Sequence, residues 1–223
     1  MIDHLLHPRI TENKDWATAL FVLAFAIIAF TKSVYENRFE DFMNLIFSDK
    51  YSKVYRDSSN LNSSFTISLF FVQVISFAFF IQLSLSVLGN ASKTDWLLYI
   101  QIVTFLIFFI LAKYLIEKII ATAFNIEEFV EQFNLQKVTY RTYIGLIILP
   151  ISVILFYYDT ISRNILLIII LIFLIFNVLA YLISIKNYQN LIFGKLFYFI
   201  LYLCTLEIAP YFFMYYWYTK SGA

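Results

Sequence analysis

Six stretches of this chain are apolar over about the length that a helix needs to cross a bilayer. A hydrocarbon core about 30 Å thick requires about 20 helical residues at a rise of about 1.5 Å each. The strands of a membrane barrel would alternate apolar and polar residues, whereas residues 166–176 are apolar at every position. The predicted spans are residues 16–35, 65–88, 96–116, 138–158, 164–185 and 196–217.

Aromatic residues mark the ends of these stretches. Trp16, Trp96 and Trp217 each lie at a predicted span end, as in the aromatic belts of membrane interfaces. The first stretch follows a tail of mixed charge and precedes no small-residue cleavage site, so we expect a retained span rather than a signal peptide. The sequence therefore predicts an all-α, polytopic membrane helical bundle of about six transmembrane helices, with residues 1–223 forming a single membrane domain.

Composition supports the same class and argues against several functions. Apolar residues make up 61% of the chain and charged residues 14%, against about 45–50% and about 25% in soluble domains. A net charge of +1 gives no electrostatic basis for binding nucleic acid. The single cysteine, Cys204, excludes an intrachain disulfide. His4 and His7, both in the N-terminal tail, are weak evidence for a metal site, so no metal and no cofactor is predicted.

The distribution of Lys and Arg predicts the orientation of the chain. The first, third and fifth connections, with their adjoining span ends, carry eleven Lys and Arg, against five in the tails and the other two connections. Because cytoplasmic loops carry the excess of positive charge, these three connections are predicted to be cytoplasmic. Both termini then lie on the opposite side of the membrane.

Two cytoplasmic segments have helical periodicity, residues 36–47 and 127–136, and we expect both to form amphipathic helices at the inner interface. One face of each is apolar, and charged residues separate the apolar positions. These faces are either docking surfaces for a partner protein or surfaces that pack against the membrane. The candidate contact residues are Phe39, Phe42, Met43, Ile46, Phe129 and Phe133.

Glu207 is the clearest candidate for chemistry inside the membrane. It lies near the middle of the sixth predicted span, where an ionisable residue costs about 2.5–3.5 kcal/mol on insertion scales. Pro210 removes an amide donor and crowds the carbonyl of Leu206, which predicts a kink beside Glu207. Glu207 is either a neutral side chain that hydrogen-bonds a neighbouring helix or a proton or ion site like those at broken helices of transporters.

Three further polar residues complete the candidate intramembrane site. Asn177 is at a depth similar to that of Glu207, and Lys113 is shallower. Lys113 and Glu117 are four residues apart, so they can pair on one helix face. Lys113 could also snorkel to the interface or extend towards Glu207.

Two short stretches carry a resemblance to a known family. Residues 12–16 (ENKDW) precede the first span, and residues 202–210 (YLCTLEIAP) contain Glu207 and Pro210. With them, the chain resembles an uncharacterised family of multi-span inner-membrane proteins of the Bacteroidota, classed as a domain of unknown function. The resemblance covers the chain from about Glu12 to its C-terminus. It implies a bacterial inner membrane, and hence periplasmic termini, but no activity, substrate or cofactor.

The sequence contains no phosphate loop, dinucleotide fingerprint or zinc-protease motif, and no histidine lies within a predicted span. We therefore expect a non-enzymatic integral inner-membrane subunit or assembly factor of a larger envelope complex. Protein export, envelope assembly or gliding machinery would be suitable hosts, and the expected partners are the lipid bilayer and other proteins of that complex. The alternative is a small proton- or ion-coupled transporter centred on Glu207.

Overall fold

The computed structural model describes residues 14–46, 51, 54–55, 63–89, 91–123, 127–158, 162–187 and 216. The described part of the chain is helical and contains no strand. Its elements are α1 (Asp15–Val34), α2 (Glu36–Met43) with a 3₁₀ turn (Asn44–Ile46), α3 (Ser64–Val87), α4 (Trp96–Ala123), α5 (Glu127–Tyr157) and α6 (Arg163–Asn187).

Four of these helices are long and apolar enough to cross a membrane: α1, α3, α4 and the Val130–Tyr157 part of α5. In α6, the apolar part that is described at the level of side chains is the shorter Arg163–Leu179. The all-helical membrane class predicted from the sequence is therefore confirmed. The predicted sixth span, residues 196–217, lies outside the described residues except for Tyr216.

The α4–α5 hairpin differs from the sequence prediction. Helix α4 continues beyond the predicted span end at residue 116 to Ala123, and α5 begins at Glu127. The segment 127–136 is thus the first part of a continuous helix rather than a separate interfacial helix. No glycine or proline interrupts residues 127–144, so nothing in the sequence favours a break before the span.

Helix α3 is the centre of the bundle. It contacts α1, α4, α5 and α6, and its most extensive packing is against α5. Residues around most of its circumference are buried, including the polar Gln73, Ser76 and Gln82. A helix that is apolar all round, with few polar residues, is expected at such a central position.

At the end of the bundle where α3 leads into α4, aromatic side chains fill the core. The ring of Phe79 lies 4.1 Å from that of Phe21 and 4.5 Å from that of Tyr99, measured between centroids. Trp16 and Phe156 complete the group, with centroids 5.7 and 5.8 Å from that of Phe79. Offset and edge-to-face contacts at these distances are favourable beyond the area that they bury. We call these five residues the aromatic core.

Helices α3 and α5 cross closely at Gly145. A Cβ atom at this position would lie 3.0–3.2 Å from the Cα, Cβ and Cγ atoms of Gln73. Two interhelical hydrogen bonds flank the crossing: Ser76 Oγ donates to the Gly145 carbonyl oxygen at 2.7 Å, and Thr142 Oγ1 donates to Gln73 Oε1 at 2.8 Å. Small residues and neutral polar side chains are the usual means by which membrane helices associate.

We expect Thr142→Val to lower the free energy of unfolding by about 1–3 kcal/mol, because it leaves the buried side-chain oxygen Oε1 of Gln73 without the hydroxyl that donates to it. The matched control is Thr139→Val, since the buried Thr139 hydroxyl donates only along its own helix, to the carbonyl oxygen of Leu135. Thermal unfolding in detergent measures both. Equal losses in the two variants would contradict a contribution from the interhelical bond.

Helix α2 folds back onto its own bundle, which corrects the expected role of its apolar face. Phe39 and Phe42 are buried in a cluster with Phe65 and Leu69 of α3, so they are not available to a partner protein or to the membrane. The segment follows α1 after a single residue, which keeps it beside the first turn of α3. Met43 is exposed, whereas the side chain of Ile46 lies outside the described residues.

Arg38 fixes the position of α2. Its guanidinium carbon lies 4.7 Å from the ring centroid of Tyr55 and 4.6 Å from that of Phe65, within the range of cation–π contacts. Burial raises the pKa of the Tyr51 hydroxyl, and the adjacent Arg38, which donates a hydrogen bond to it, partly offsets that rise. These contacts attach the segment after α2 to the same end of the bundle.

Candidate functional site

Between α3, α4 and α5, a cavity of about 160 Å³ opens at the end of the bundle where α4 turns into α5. Each of the three helices contributes both polar and apolar residues to its wall. The polar lining consists of Thr66 on α3, Lys113, Tyr114 and Glu117 on α4, and Asn134, Lys137 and Arg141 on α5. We call this cavity the basic pocket.

An ion pair across the hairpin forms part of the pocket wall. Lys137 Nζ on α5 donates to Glu117 Oε1 on α4 at 2.8 Å. The Glu117 side chain is 3% exposed and that of Lys137 is 16% exposed, so the pair is largely removed from solvent. Lys137 Nζ also lies 5.7 Å from the ring centroid of the buried Phe133. Removing one partner of such a buried pair is strongly destabilising.

Helix lengths place this ion pair relative to the membrane. Trp96 begins α4 and Tyr157 ends α5, and Lys93 Nζ donates to the Tyr158 carbonyl oxygen at 3.1 Å, so these two helix ends are adjacent. From Trp96 to Glu117 and from Tyr157 to Lys137, the helices rise by nearly the same amount, about 30 Å at about 1.5 Å per residue. That distance equals the thickness of a hydrocarbon core, so a membrane boundary at Trp96 and Tyr157 would place the pair at the opposite boundary.

Lys113 and Arg141 lie one helical turn further into the membrane than the ion pair. Each is four residues from a member of the pair, Lys113 from Glu117 and Arg141 from Lys137, on antiparallel helices. Both are half-buried. With Lys137 they give the pocket three formal positive charges against the single carboxylate of Glu117, a net excess of two. Among the residues that line the pocket, cations therefore outnumber carboxylates.

The pocket wall also contains a buried amide. Asn134 is 3% exposed, and its Oδ1 atom has no hydrogen-bond partner among the described residues. A half-rotation of the amide would direct its NH₂ group to the same point, so Asn134 can donate or accept. Within the described ranges, no group of three His, Cys, Asp or Glu side chains is close enough to hold a metal ion.

Towards the bilayer, the pocket wall is apolar. Ile67 and Phe70 of α3 face Ile110 and Leu111 of α4 along this side. Ile67 is 46% exposed and Leu111 is 48% exposed, so the edge of the pocket meets the outer surface of the bundle, which in a membrane is in contact with lipid. The pocket thus joins a cationic base to an apolar side that opens on the outer surface of the bundle.

The structure brings together some of the predicted site residues and not others. Lys113 and Glu117 share the basic pocket, but the partner found for Glu117 is Lys137 of the facing helix. Asn177 is exposed on α6, where its Nδ2 donates to the Phe173 carbonyl oxygen one turn back at 3.0 Å. Glu207 and Pro210 lie outside the described residues.

The predicted contact residues of the second amphipathic segment need a similar correction. Phe133 is fully buried and cannot contact a partner. Val130 of the same segment packs on Ala121 of α4, so the segment lies against the bundle rather than on the membrane. The side chain of Phe129 lies outside the described residues. In the sequence analysis Lys137 and Arg141 served only to predict orientation. The signal that could have identified them is their spacing: in an antiparallel hairpin of these two helices, Lys137 lies opposite Glu117 and Arg141 lies opposite Lys113.

Residues 17–218 match the model of a protein family described as a domain of unknown function, DUF4271. No curated protein and no solved structure matches the chain.

Proposed function

Because the chain belongs to the DUF4271 family over nearly its whole length, we propose a role that this entire membrane domain performs: a non-enzymatic integral subunit or assembly factor of a larger complex of the bacterial envelope. In this proposal it has about six spans in the inner membrane, with its basic end in the cytoplasm and its termini in the periplasm. The excess of Lys and Arg in the first, third and fifth connections supports that orientation.

The observation that carries this proposal is the filled aromatic core. Trp16, Phe21, Phe79, Tyr99 and Phe156 occupy the space among α1, α3, α4 and α5. Their ring centroids are 4.1–5.8 Å from that of Phe79, which leaves the rings in direct contact. A close-packed group of this kind favours a rigid scaffold over a path for a solute among these four helices.

Helix α4 offers a surface that supports a role in assembly. It packs on α3 and α5, and large apolar side chains predominate on its exposed side from Trp96 to Ile116. Phe108, 72% exposed, lies near the middle of this side. In a bilayer, such a face contacts either acyl chains or a helix of another subunit.

The test is a pull-down of the tagged protein from native membranes in a gentle detergent. The proposal requires a partner in constant stoichiometry, recovered also when that partner carries the tag. Phe108→Ala on α4 is then expected to reduce recovery of the partner, and Phe30→Ala on α1, 67% exposed, is the matched control. A monomer without partners that retains its cellular function would contradict the proposal.

The alternative, an ion-coupled transporter, depends on Glu207 and Pro210 in the sequence. Glu207→Gln distinguishes the two functions, because glutamine keeps the shape and hydrogen bonding but removes the titrating proton. For a subunit, the variant is expected to retain its partners and its cellular phenotype. Loss of the phenotype at normal protein levels, with no partner found for the wild type, would favour the transporter.

A further inference from the structure

The basic pocket is a second feature of the molecule, and a role in assembly does not explain it. Its charge, its depth in the membrane and its apolar side are three independent properties, and each restricts the kind of ligand that fits. From their combination we propose that the pocket binds one anionic phospholipid, with the headgroup phosphate at Lys113, Lys137 and Arg141 and an acyl chain along the α3–α4 side.

Charge selects the phosphate. The lining carries three cations against one carboxylate, and this excess of cations favours a phosphate diester, which is an anion, over a neutral or cationic ligand. The guanidinium of Arg141 can contact two phosphate oxygens at once, and the two lysines act as point charges. The buried Asn134 amide, with Oδ1 unpartnered in the described structure, supplies a further polar contact in the wall.

Size and position select a lipid over a larger soluble anion. The cavity of about 160 Å³ is smaller than the pockets of roughly 300–1,000 Å³ that enclose whole drug-sized ligands. It therefore accommodates a headgroup whose remaining part lies elsewhere. Lys113 and Arg141 are one turn inside the membrane boundary, where the phosphate of a lipid and the long cationic side chains meet.

The open side of the pocket provides the place for the rest of the molecule. Ile67 and Leu111 are about half-exposed at its edge, next to Phe70 and Ile110. An acyl chain that leaves the phosphate can lie over these residues without crossing a polar barrier. The carboxylate of Glu117 does not extend over this apolar side, because Lys137 Nζ holds it at 2.8 Å.

The experiment uses the purified full-length chain, reconstituted in phosphatidylcholine vesicles with or without phosphatidylglycerol and then released into mild detergent for native mass spectrometry. We expect one phosphatidylglycerol to remain bound to the wild type. Lys113→Gln and Arg141→Gln are each expected to reduce its occupancy about fivefold, as for the loss of one membrane-facing cation. The matched control is Lys32→Gln. Lys32 is an exposed cation in the last turn of α1 and does not line the pocket, so its substitution is expected to leave the occupancy of phosphatidylglycerol unchanged.

The outcomes separate the sources of the phosphate. Equal retention of phosphatidylcholine and phosphatidylglycerol, or an equal loss in Lys32→Gln and the pocket variants, would overturn the proposal. Inorganic phosphate is added in a parallel sample, and stabilisation by phosphate without retention of phosphatidylglycerol would refute a lipid as the ligand. Circular dichroism of each variant confirms that the helices are retained. The pull-down tests protein partners alone, so failure of either proposal leaves the other standing.

Discussion

A single methyl group at position 145 is expected to destabilise the protein. Gly145→Ala places a Cβ atom 3.0 Å from Gln73 Cγ and 3.1 Å from its Cα, closer than ordinary van der Waals contact. Overpacking of this kind typically costs about 1–3 kcal/mol, and the bulkier Gly145→Leu is expected to prevent the α3–α5 crossing altogether. The measurement is the thermal unfolding midpoint in detergent, with the monomeric fraction after size-exclusion chromatography as a second readout.

The sign of this effect makes it diagnostic. In a helix interior, alanine is favoured over glycine by about 1 kcal/mol, so the substitution would stabilise α5 if nothing lay opposite. Adding Gln73→Ala removes the Cγ atom but leaves Cα and Cβ at 3.1 and 3.2 Å from the new methyl group. We therefore expect only partial recovery in the double variant. An increase in the midpoint for Gly145→Ala would show that the helices do not approach closely here.

The parts of the fold that the sequence predicted well are those set by local apolar length. Helices α1 and α3 differ from the predicted spans 16–35 and 65–88 by one residue at each end. An uninterrupted apolar run in lipid forms a helix, because a helix satisfies all its backbone hydrogen bonds within the segment. The sequence therefore determined these elements without any knowledge of their neighbours.

Tertiary contacts determined what the sequence analysis missed. Phe39, Phe42 and Phe133 have the spacing of an amphipathic face, but periodicity does not reveal whether the face meets lipid, a partner or the protein itself. Phe39 and Phe42 pack on α3, and Phe133 is fully buried in the protein. In the same way, the partner of Glu117 was sought on its own helix, at Lys113, because the position of α5 beside α4 is not a local property. The structure places Lys137 there.

Removal of the Lys137 ammonium is expected to have the largest effect of any single charge change in the hairpin. Lys137→Met keeps the length and apolar stem of the side chain but leaves the carboxylate of Glu117 buried without its partner. Breaking a buried pair on one side costs about 3–5 kcal/mol, and we expect the lower part of that range because Lys137 is partly exposed. The melting midpoint of the purified protein is the measurement.

Paired variants show whether the lost stability comes from the unpartnered carboxylate. Adding Glu117→Gln to Lys137→Met removes the buried charge, and we expect the double variant to recover most of the loss, because neutral side chains need no counter-charge at the membrane boundary. Lys118→Met is the control, since this exposed lysine on α4 lies next to Glu117 in the chain but outside its ion pair. If Lys137→Met and Lys118→Met had equal melting midpoints, the Glu117–Lys137 ion pair would not contribute to the stability of the hairpin. The pocket beside it would then lack a fixed wall.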